Sequence, residues 1–192
     1  MEKLTGLKKI KTAVFISGTG SNLKNLIKFS KIKESPISID LIISNTNKAK
    51  GLIFADQFKI RKKIFNFKKI EDIEKKILLL IKKEKIEFIC LAGFMKILSK
   101  NFIKKFDGHI INIHPSLLPK YKGLNTHSRV INNKDKFTGC TVHFLATKLD
   151  SGKIILQKKI KVTARDNPIT LAKKVLKQEH KLYPAAIMKI FN

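Results

Sequence analysis

Strand-like and helix-like segments alternate through the first 114 residues of this 192-residue chain, and this alternation constrains its fold more than any other feature. Continuous apolar runs at 12–16 and 88–93 are typical of strands covered on both faces. Further strands are predicted at 37–43, 61–67 and around residue 112, and segments with helical spacing separate the first four strands. The pattern predicts an α/β fold with a mostly parallel central sheet, right-handed crossovers and helices on both faces.

The last third of the chain is less regular. A polar loop is expected at 120–126, followed by strand-like runs at 138–144 and 153–162. An amphipathic helix begins at Pro168, and Pro184 is expected to kink or end it because proline removes a helical hydrogen bond.

Length and composition favour a single domain. The 192 residues, 43% of them hydrophobic, suffice for one core, so we expect one domain over 1–192 with residues 1–11 as a polar lead-in. Apolar runs are too short for a membrane span or a signal sequence, which predicts a cytoplasmic protein. Cys90 and Cys140 have no neighbours at ligand spacing, so we expect them to be reduced and buried, with no metal site.

The net charge of +27 raises the possibility of a nucleic-acid-binding protein. Nucleic-acid sites favour arginine and interleaved aromatic residues. Of the 41 lysines and arginines in this chain, only Arg61, Arg129 and Arg165 are arginines. The lysines are scattered over every segment. We therefore interpret the charge as solvated surface that attracts anionic small molecules, and we expect no specific nucleic acid partner.

A glycine-rich turn at 17–22 connects the first strand to a helix-like segment. Gly18 and Gly20 let a phosphate come close to the backbone. Free N–H groups at a helix start, together with the helix dipole, form an anion site. Leu23 stands where a dinucleotide fingerprint has its third glycine, so that motif is absent. An ordinary tight turn with Ser21 as the helix cap fits the same residues equally well.

Two polar side chains interrupt the strand around residue 112. Asn112 and His114 alternate with isoleucines, so the period of two points both to one face. Pro115 biases His114 to an extended backbone and ends the strand there. Ligands of such sheets bind beyond the carboxyl ends of the strands, so we expect this pair and the glycine turn at one sheet edge. Taken alone, the pair also fits a core histidine and a turn asparagine.

Five short segments, in their order along the chain, resemble one known family. They are ISGTGSNL at 16–23, LAGFM at 91–95, NIHPSLLP at 112–119, LDSG at 149–152 and QEH at 178–180. Each is a weak signal alone, but five at plausible intervals over nearly the whole chain are specific. The chain is similar to the phosphoribosylglycinamide formyltransferases, folate-dependent enzymes of purine synthesis.

The resemblance implies a Rossmann-like formyltransferase domain. It would transfer the formyl group of 10-formyltetrahydrofolate, its co-substrate, to the amine of 5-phosphoribosylglycinamide without a metal. Asn112, His114 and Asp150 would form the catalytic set. Asn112 and His114 would stabilise the oxyanion of a tetrahedral intermediate, and Asp150 would support His114. From spacing alone, Asp150 is more typical of a turn.

The resemblance also implies the binding residues. In the N-terminal half, Gly20, Ser21 and Asn22 would hold the substrate phosphate, while the C-terminal half would bind folate and carry catalysis. Glu179 would contact the amino end of the substrate. The implied partners are these small molecules, with no membrane, and the chain would be a monomer or a weak homodimer. The implied folate-binding residues are Met95, Lys96, Ile97, Leu98 and Asn112.

Some positions depart from the family pattern, and three alternatives stay open. Lys96 stands where a family arginine is common, and the segment 66–70 lacks an arginine that usually contacts folate. Methionyl-tRNA formyltransferase and formyltetrahydrofolate deformylase share the Asn, His and Asp set, although each is expected to carry an additional domain. A basic nucleic-acid-binding protein is the alternative from a different class.

Overall fold

The structure is a computed structural model that describes residues 8–66 and 69–191. The chain divides into two compact units, an N-terminal unit of residues 1–95 with 191–192 and a C-terminal unit of residues 96–190. Residues 1–7, which make up most of the predicted lead-in, lie outside the described residues. So do residues 67 and 68, which fall at the end of the predicted strand 61–67 and in the segment 66–70.

Four parallel strands form the sheet of the N-terminal unit, in the order β3-β2-β1-β4. The central strand β1 is fully buried from Ala13 to Ile16, which explains its continuous apolar run. The edge strand β3 is short and mostly exposed, and its arginine and lysines discourage pairing with another chain. The elements are β1 (Ile10–Ile16), α1 (Ser21–Ser30), β2 (Ile37–Ser44), α2 (Leu52–Gln57), β3 (Arg61–Ile64), α3 (Ile70–Glu84) and β4 (Phe88–Leu91).

In the C-terminal unit, three strands pair antiparallel in the order β5-β6-β7. The two short helices α4 and α5 were not predicted, and α5 begins at the last residue of the predicted loop 120–126. The elements are α4 (Lys100–Lys105), β5 (His109–His114), α5 (Thr126–Asn132), β6 (Phe137–Phe144), β7 (Ile154–Lys161) and α6 (Pro168–Phe191).

Helix α6 starts and continues for identifiable reasons. The side chain of Asn167 accepts hydrogen bonds from the N–H groups of Ile169 and Thr170, each at 3.0 Å, so it caps the helix ahead of the favourable first position of Pro168. The expectation that Pro184 could end the helix is wrong, since α6 runs to Phe191. Tyr183, Ala186 and Ile187, beside and beyond Pro184, are fully buried, and this burial offsets the hydrogen bond that the proline removes, so the helix continues.

The α/β class with a mostly parallel arrangement of strands is confirmed. Cys90 and Cys140 are free thiols and buried, as predicted. Within 8–66 and 69–191, no helix is long and apolar enough to cross a membrane. The same residues contain no group of three or more His, Cys, Asp or Glu that could hold a metal ion.

Two glycines bring the turn after β1 against the start of α2. Gly20 has a φ of 75°, in the left-handed region, and a Cβ added to it would lie 2.5 Å from the Cα of Gly51. A Cβ on Gly51 would lie 2.7 Å from the Cα of Gly20, and the N–H of Gly51 donates to the carbonyl of Gly18 at 3.0 Å. The two backbones are thus in direct contact, which only glycine at both positions permits.

The effect of this contact can be measured. Gly20→Ala should lower the free energy of unfolding by about 2 kcal/mol, because the new methyl group meets backbone and the φ is unfavourable for alanine. Urea denaturation followed by circular dichroism measures the change. Gly18→Ala is the matched control, because a Cβ there has no heavy atom within 4 Å, and its stability should stay near that of the wild type. Equal losses in both variants would contradict this account.

Candidate active site

Strand β5 carries the two polar residues singled out in the sequence. Its apolar residues Ile111 and Ile113 are buried, Asn112 is half-buried and His114 is 4% exposed. Asn112 pairs across the sheet with His143 of β6. Asn112 contacts His143 and His114 faces Asp150, which itself lies 3.7 Å from His143, so both polar residues belong to one cluster.

Both ring nitrogens of His114 have close neighbours. Nε2 lies 2.8 Å from the carbonyl oxygen of Tyr121, which can only accept, so this nitrogen carries a proton. Nδ1 lies 3.4 Å from Oδ2 of Asp150. A second proton on His114 would therefore lie on the side that faces the carboxylate.

Asp150 is 8% exposed and sits in a left-handed turn with a φ of 44°, a conformation that aspartate tolerates better than most residues. Its Oδ2 accepts the backbone N–H of Gly123 at 2.8 Å. The turn-former interpretation of Asp150 is thus correct for its backbone, while its side chain points at His114. Both properties belong to one residue.

His143 links Asn112 to Asp150. Its Nδ1 lies 2.9 Å from the carbonyl oxygen of Phe144, so Nδ1 carries the proton of the neutral ring. Burial lowers the pKa of His143, with opposing contributions from the Phe144 carbonyl and Asp150. The neutral ring presents the lone pair of Nε2, which lies 3.3 Å from Nδ2 of Asn112 and 3.7 Å from Oδ1 of Asp150.

This arrangement orients the amide of Asn112. Because Nε2 of His143 is an acceptor, it selects the NH₂ group of Asn112 rather than its oxygen. One N–H of that group is used, and the second can donate to a ligand oxygen. The cluster therefore offers an amide donor, an imidazole and a carboxylate within one buried group of side chains.

His127 adds a further imidazole near this cluster. Burial, and secondly the charge of His114, lowers the pKa of His127. Its Nδ1 is buried without a hydrogen-bond partner among the residues that the structure describes.

In the N-terminal unit, the glycine turn leads directly into α1. Gly20 is the N-cap residue, no side chain caps the helix, and Ser21 is its first residue. The alternative that Ser21 caps α1 is therefore wrong. Asn22 is buried, at 8% exposure. Because the N-cap residue Gly20 has no side chain to accept them, backbone N–H groups at the start of α1, together with the helix dipole, favour an anion there.

The predicted folate-binding residues differ in exposure. Met95, in the N-terminal unit, exposes 63% of its surface, and its N–H donates to Oγ of Ser17 at 2.7 Å. In the C-terminal unit Lys96 and Ile97 are exposed, whereas Leu98 is only 4% exposed. A ligand could reach the first three side chains directly, whereas Leu98 is buried.

Glu179 is buried in α6, with 7% exposure, and is not the solvated helix-face residue that its sequence context suggests. Burial first, and Glu179 second, raises the pKa of the Cys140 thiol to about 12. Cys140 therefore stays a neutral thiol.

Sequence reasoning did not identify three neighbours of the predicted catalytic set. His143 could have been found only from the register of β5 and β6, which places it opposite Asn112. Tyr121 and Gly123 contribute backbone groups, which no side-chain motif reveals. The predicted residues Asn112, His114 and Asp150 are themselves brought together.

Comparison with known proteins adds independent findings. A family model described as formyl transferase matches residues 10–187. Phosphoribosylglycinamide formyltransferase of Haemophilus influenzae is 39% identical over 180 residues, which cover 92% of this chain and 85% of that protein. The human trifunctional purine biosynthetic protein adenosine-3 is 42% identical over 186 residues, 95% of this chain, but the chain spans only 18% of its length.

A solved structure is also similar. The crystal structure of phosphoribosylglycinamide formyltransferase from Brucella melitensis has a TM-score of 0.90 and 40% sequence identity. The match covers 95% of this chain and 96% of that one. The likeness therefore extends over nearly the whole of both proteins.

The neutral state of His143 predicts a pH dependence of stability. Because its folded pKa is lowered, the unfolded chain binds a proton near pH 6.5 that the folded chain resists, so stability is full above this pH and falls below it. Each such histidine adds up to about 1.4 kcal/mol per pH unit to the slope. His127 and His180 act in the same direction.

Urea denaturation of the wild type and His143→Gln between pH 5 and pH 8.5 tests this expectation. Below pH 6.5 the free energy of unfolding of the variant should fall less steeply with decreasing pH, by up to about 1.4 kcal/mol per pH unit. Above pH 7.5 the two slopes should coincide, because His143 binds no proton there in either the folded or the unfolded chain, and this range is the internal control. Identical slopes below pH 6.5 would show that His143 is not held neutral.

Proposed function

This chain belongs to the formyl transferase family, and we propose that it transfers the formyl group of 10-formyltetrahydrofolate to the amine of 5-phosphoribosylglycinamide in purine biosynthesis. The observation that carries the proposal is the approach of His114 Nδ1 to Asp150 Oδ2 at 3.4 Å, beside the oriented amide of Asn112. Two neighbouring residues of β5 and the distant Asp150 thereby form one donor and acceptor group of the kind that acyl transfer requires.

Asn112 stabilises the charge that develops on the formyl oxygen. When the amine attacks the formyl carbon, the carbonyl becomes a tetrahedral oxyanion. His143 holds one N–H of the Asn112 amide, which leaves the other to donate to this oxygen. An amide fixed in this way needs no reorganisation during the reaction, so it favours the transition state over the ground state.

His114 and Asp150 handle the protons. The attacking amine must lose a proton, and the folate nitrogen must gain one as its bond to the formyl carbon breaks. Nε2 of His114 is held by the Tyr121 carbonyl, so a proton that the ring gives to the oxyanion or to the leaving nitrogen leaves from Nδ1. Asp150 orients the ring, and its carboxylate takes, through a water, the proton that the attacking amine loses, which balances the proton given to the folate nitrogen.

The binding roles are part of the same proposal. Gly20, Ser21 and Asn22 would hold the substrate phosphate at the start of α1, and buried Glu179 would contact its amino end. The exposed side chains of Met95, Lys96 and Ile97, and the buried Leu98, would border the folate together with Asn112.

Several sequence predictions stay predictions. They are the single domain over 1–192, its division into a phosphate-binding and a folate-binding half, the cytoplasmic location and the state of monomer or weak homodimer. The family implies a folate-derived formyl donor, and the proposal takes 10-formyltetrahydrofolate as that donor.

A formyl-transfer assay tests the proposal. The wild type, given 10-formyltetrahydrofolate and glycinamide ribonucleotide, should release tetrahydrofolate and form the formylated nucleotide. Asn112→Ala should lower kcat about 10²- to 10³-fold, and His114→Ala should also abolish most turnover, because both remove groups that act on the transition state. Circular dichroism should show both variants folded.

The controls distinguish the related activities. His109→Ala alters an exposed histidine at the start of the same strand and should keep normal turnover. Water alone and charged initiator tRNA replace the nucleotide in parallel reactions, and turnover with either one instead would favour the deformylase or the tRNA enzyme. A tight, salt-sensitive complex with tRNA and no formyl transfer would favour a nucleic-acid-binding protein. Near-normal formyl transfer by Asn112→Ala or His114→Ala would contradict the catalytic roles proposed for these two residues.

A further inference from the structure

A short loop supplies backbone contacts to both His114 and Asp150. We call residues 120–124, between β5 and α5, the bracing loop. Within it the Tyr121 carbonyl lies 2.8 Å from Nε2 of His114, and the Gly123 N–H donates to Oδ2 of Asp150 at 2.8 Å. The position of this backbone therefore sets the orientation of both side chains.

The backbone of the bracing loop adopts uncommon conformations. Tyr121 has a φ of 57° and Gly123 a φ of 77°, and Asn125, which follows the loop, has a φ of 56°. Left-handed conformations of non-glycine residues cost about 1 kcal/mol or more, so they persist where surrounding contacts hold them. The groups that hold this loop are therefore relevant to the site.

Arg129, on α5, holds the loop from outside. Its Nη1 donates to the Lys122 carbonyl at 2.7 Å and approaches the Leu124 carbonyl at 3.5 Å. The guanidinium also lies over the ring of Tyr121, 5.0 Å from its centroid. One side chain thus contacts three of the five loop residues without touching His114 or Asp150.

The phenol of Tyr121 fixes the other end of the same ring. Its hydroxyl donates to Oδ2 of Asp135 at 2.8 Å and accepts from Nδ2 of Asn133 at 2.8 Å. The ring is therefore held at its edge by hydrogen bonds and over its face by Arg129. A ring fixed at two points fixes the backbone from which it projects.

We propose that Arg129 is a positioning residue for formyl transfer, acting through the bracing loop on His114 and Asp150. The proposal rests on the proposed function. Outward-facing carbonyls of the loop bind Arg129, while the Tyr121 carbonyl and the Gly123 N–H face the catalytic cluster. Loss of the guanidinium frees the loop, so the imidazole and the carboxylate lose their fixed geometry while substrate contacts are unchanged.

The planar guanidinium is suited to this task. It can donate to a carbonyl and cover an aromatic face at the same time, whereas a lysine ammonium makes a point contact with one of them. Arg129→Lys can keep the hydrogen bond to the Lys122 carbonyl but not the stacking on Tyr121. We therefore expect Arg129→Lys to lie between the wild type and Arg129→Ala in every measurement below.

Steady-state kinetics of formyl transfer provide the first test. Arg129→Ala should lower kcat about tenfold with KM for both substrates nearly unchanged, because misplacement of reacting groups affects the transition state more than binding. Arg129→Lys should restore part of kcat. Arg165→Ala, which removes another exposed arginine of the C-terminal unit, controls for the change in net charge and should match the wild type.

Hydrogen exchange of the Gly123 amide, followed by NMR, provides a test that does not depend on activity. Arg129→Ala should speed this exchange at least about tenfold, because the N–H loses its steady contact with Asp150, while the melting temperature changes little. Arg165→Ala should leave the exchange rate unchanged.

The outcomes are distinguishable. Slower kcat together with faster Gly123 exchange, each partly restored by lysine, supports the proposal. With an active wild type, an unchanged kcat in Arg129→Ala, or a rise in KM alone, overturns it while the proposed function stands. Unchanged Gly123 exchange also overturns it, because the loop would then be held without Arg129. A wild type that transfers no formyl group overturns the proposed function and this inference together.

Discussion

The carboxylate of Asp150 is the group on which the arrangement of the site depends. One oxygen accepts the Gly123 N–H and faces Nδ1 of His114, and the other lies 3.7 Å from Nε2 of His143. A carboxylate that is 8% exposed must be compensated by donors, and the Gly123 N–H is one that Asp150 receives. His143, neutral because of its burial, instead presents the lone pair of Nε2 and so orients the NH₂ group of Asn112.

The fold places these groups through simple local rules. Strand β5 presents Asn112 and His114 on one face, the antiparallel register sets His143 opposite Asn112, and the left-handed turn at Asp150 aims its carboxylate at His114. These three features, the face of β5, the register of β5 and β6 and the turn at Asp150, bring the side chains of the site together. The backbone of the bracing loop contacts both His114 and Asp150 and so fixes their orientation. Side chains outside the loop, among them Arg129 and Asp135, hold this loop in turn.

Much of the fold could be predicted from the sequence, because buried parallel strands leave continuous apolar runs and helices leave periodic ones. Asn112 and His114 were visible as polar interruptions of a strand. Asp150 was not, since its spacing indicates a turn, and only the resemblance to a family assigned it a chemical role. His143 depends on strand register, and the contacts of Tyr121 and Gly123 are made by main-chain atoms, so single-sequence patterns could not reveal them.

The central claim is that the cluster around Asp150 stabilises a tetrahedral oxyanion, and a crystal structure with a folate-based analogue of that intermediate tests it most directly. The analogue would join the folate nitrogen to the substrate amine through a carbon that bears a hydroxyl group. We expect this hydroxyl within about 3.2 Å of Nδ2 of Asn112 and beside Nδ1 of His114. A hydroxyl more than about 5 Å from both atoms, too far for any hydrogen bond, would contradict the account.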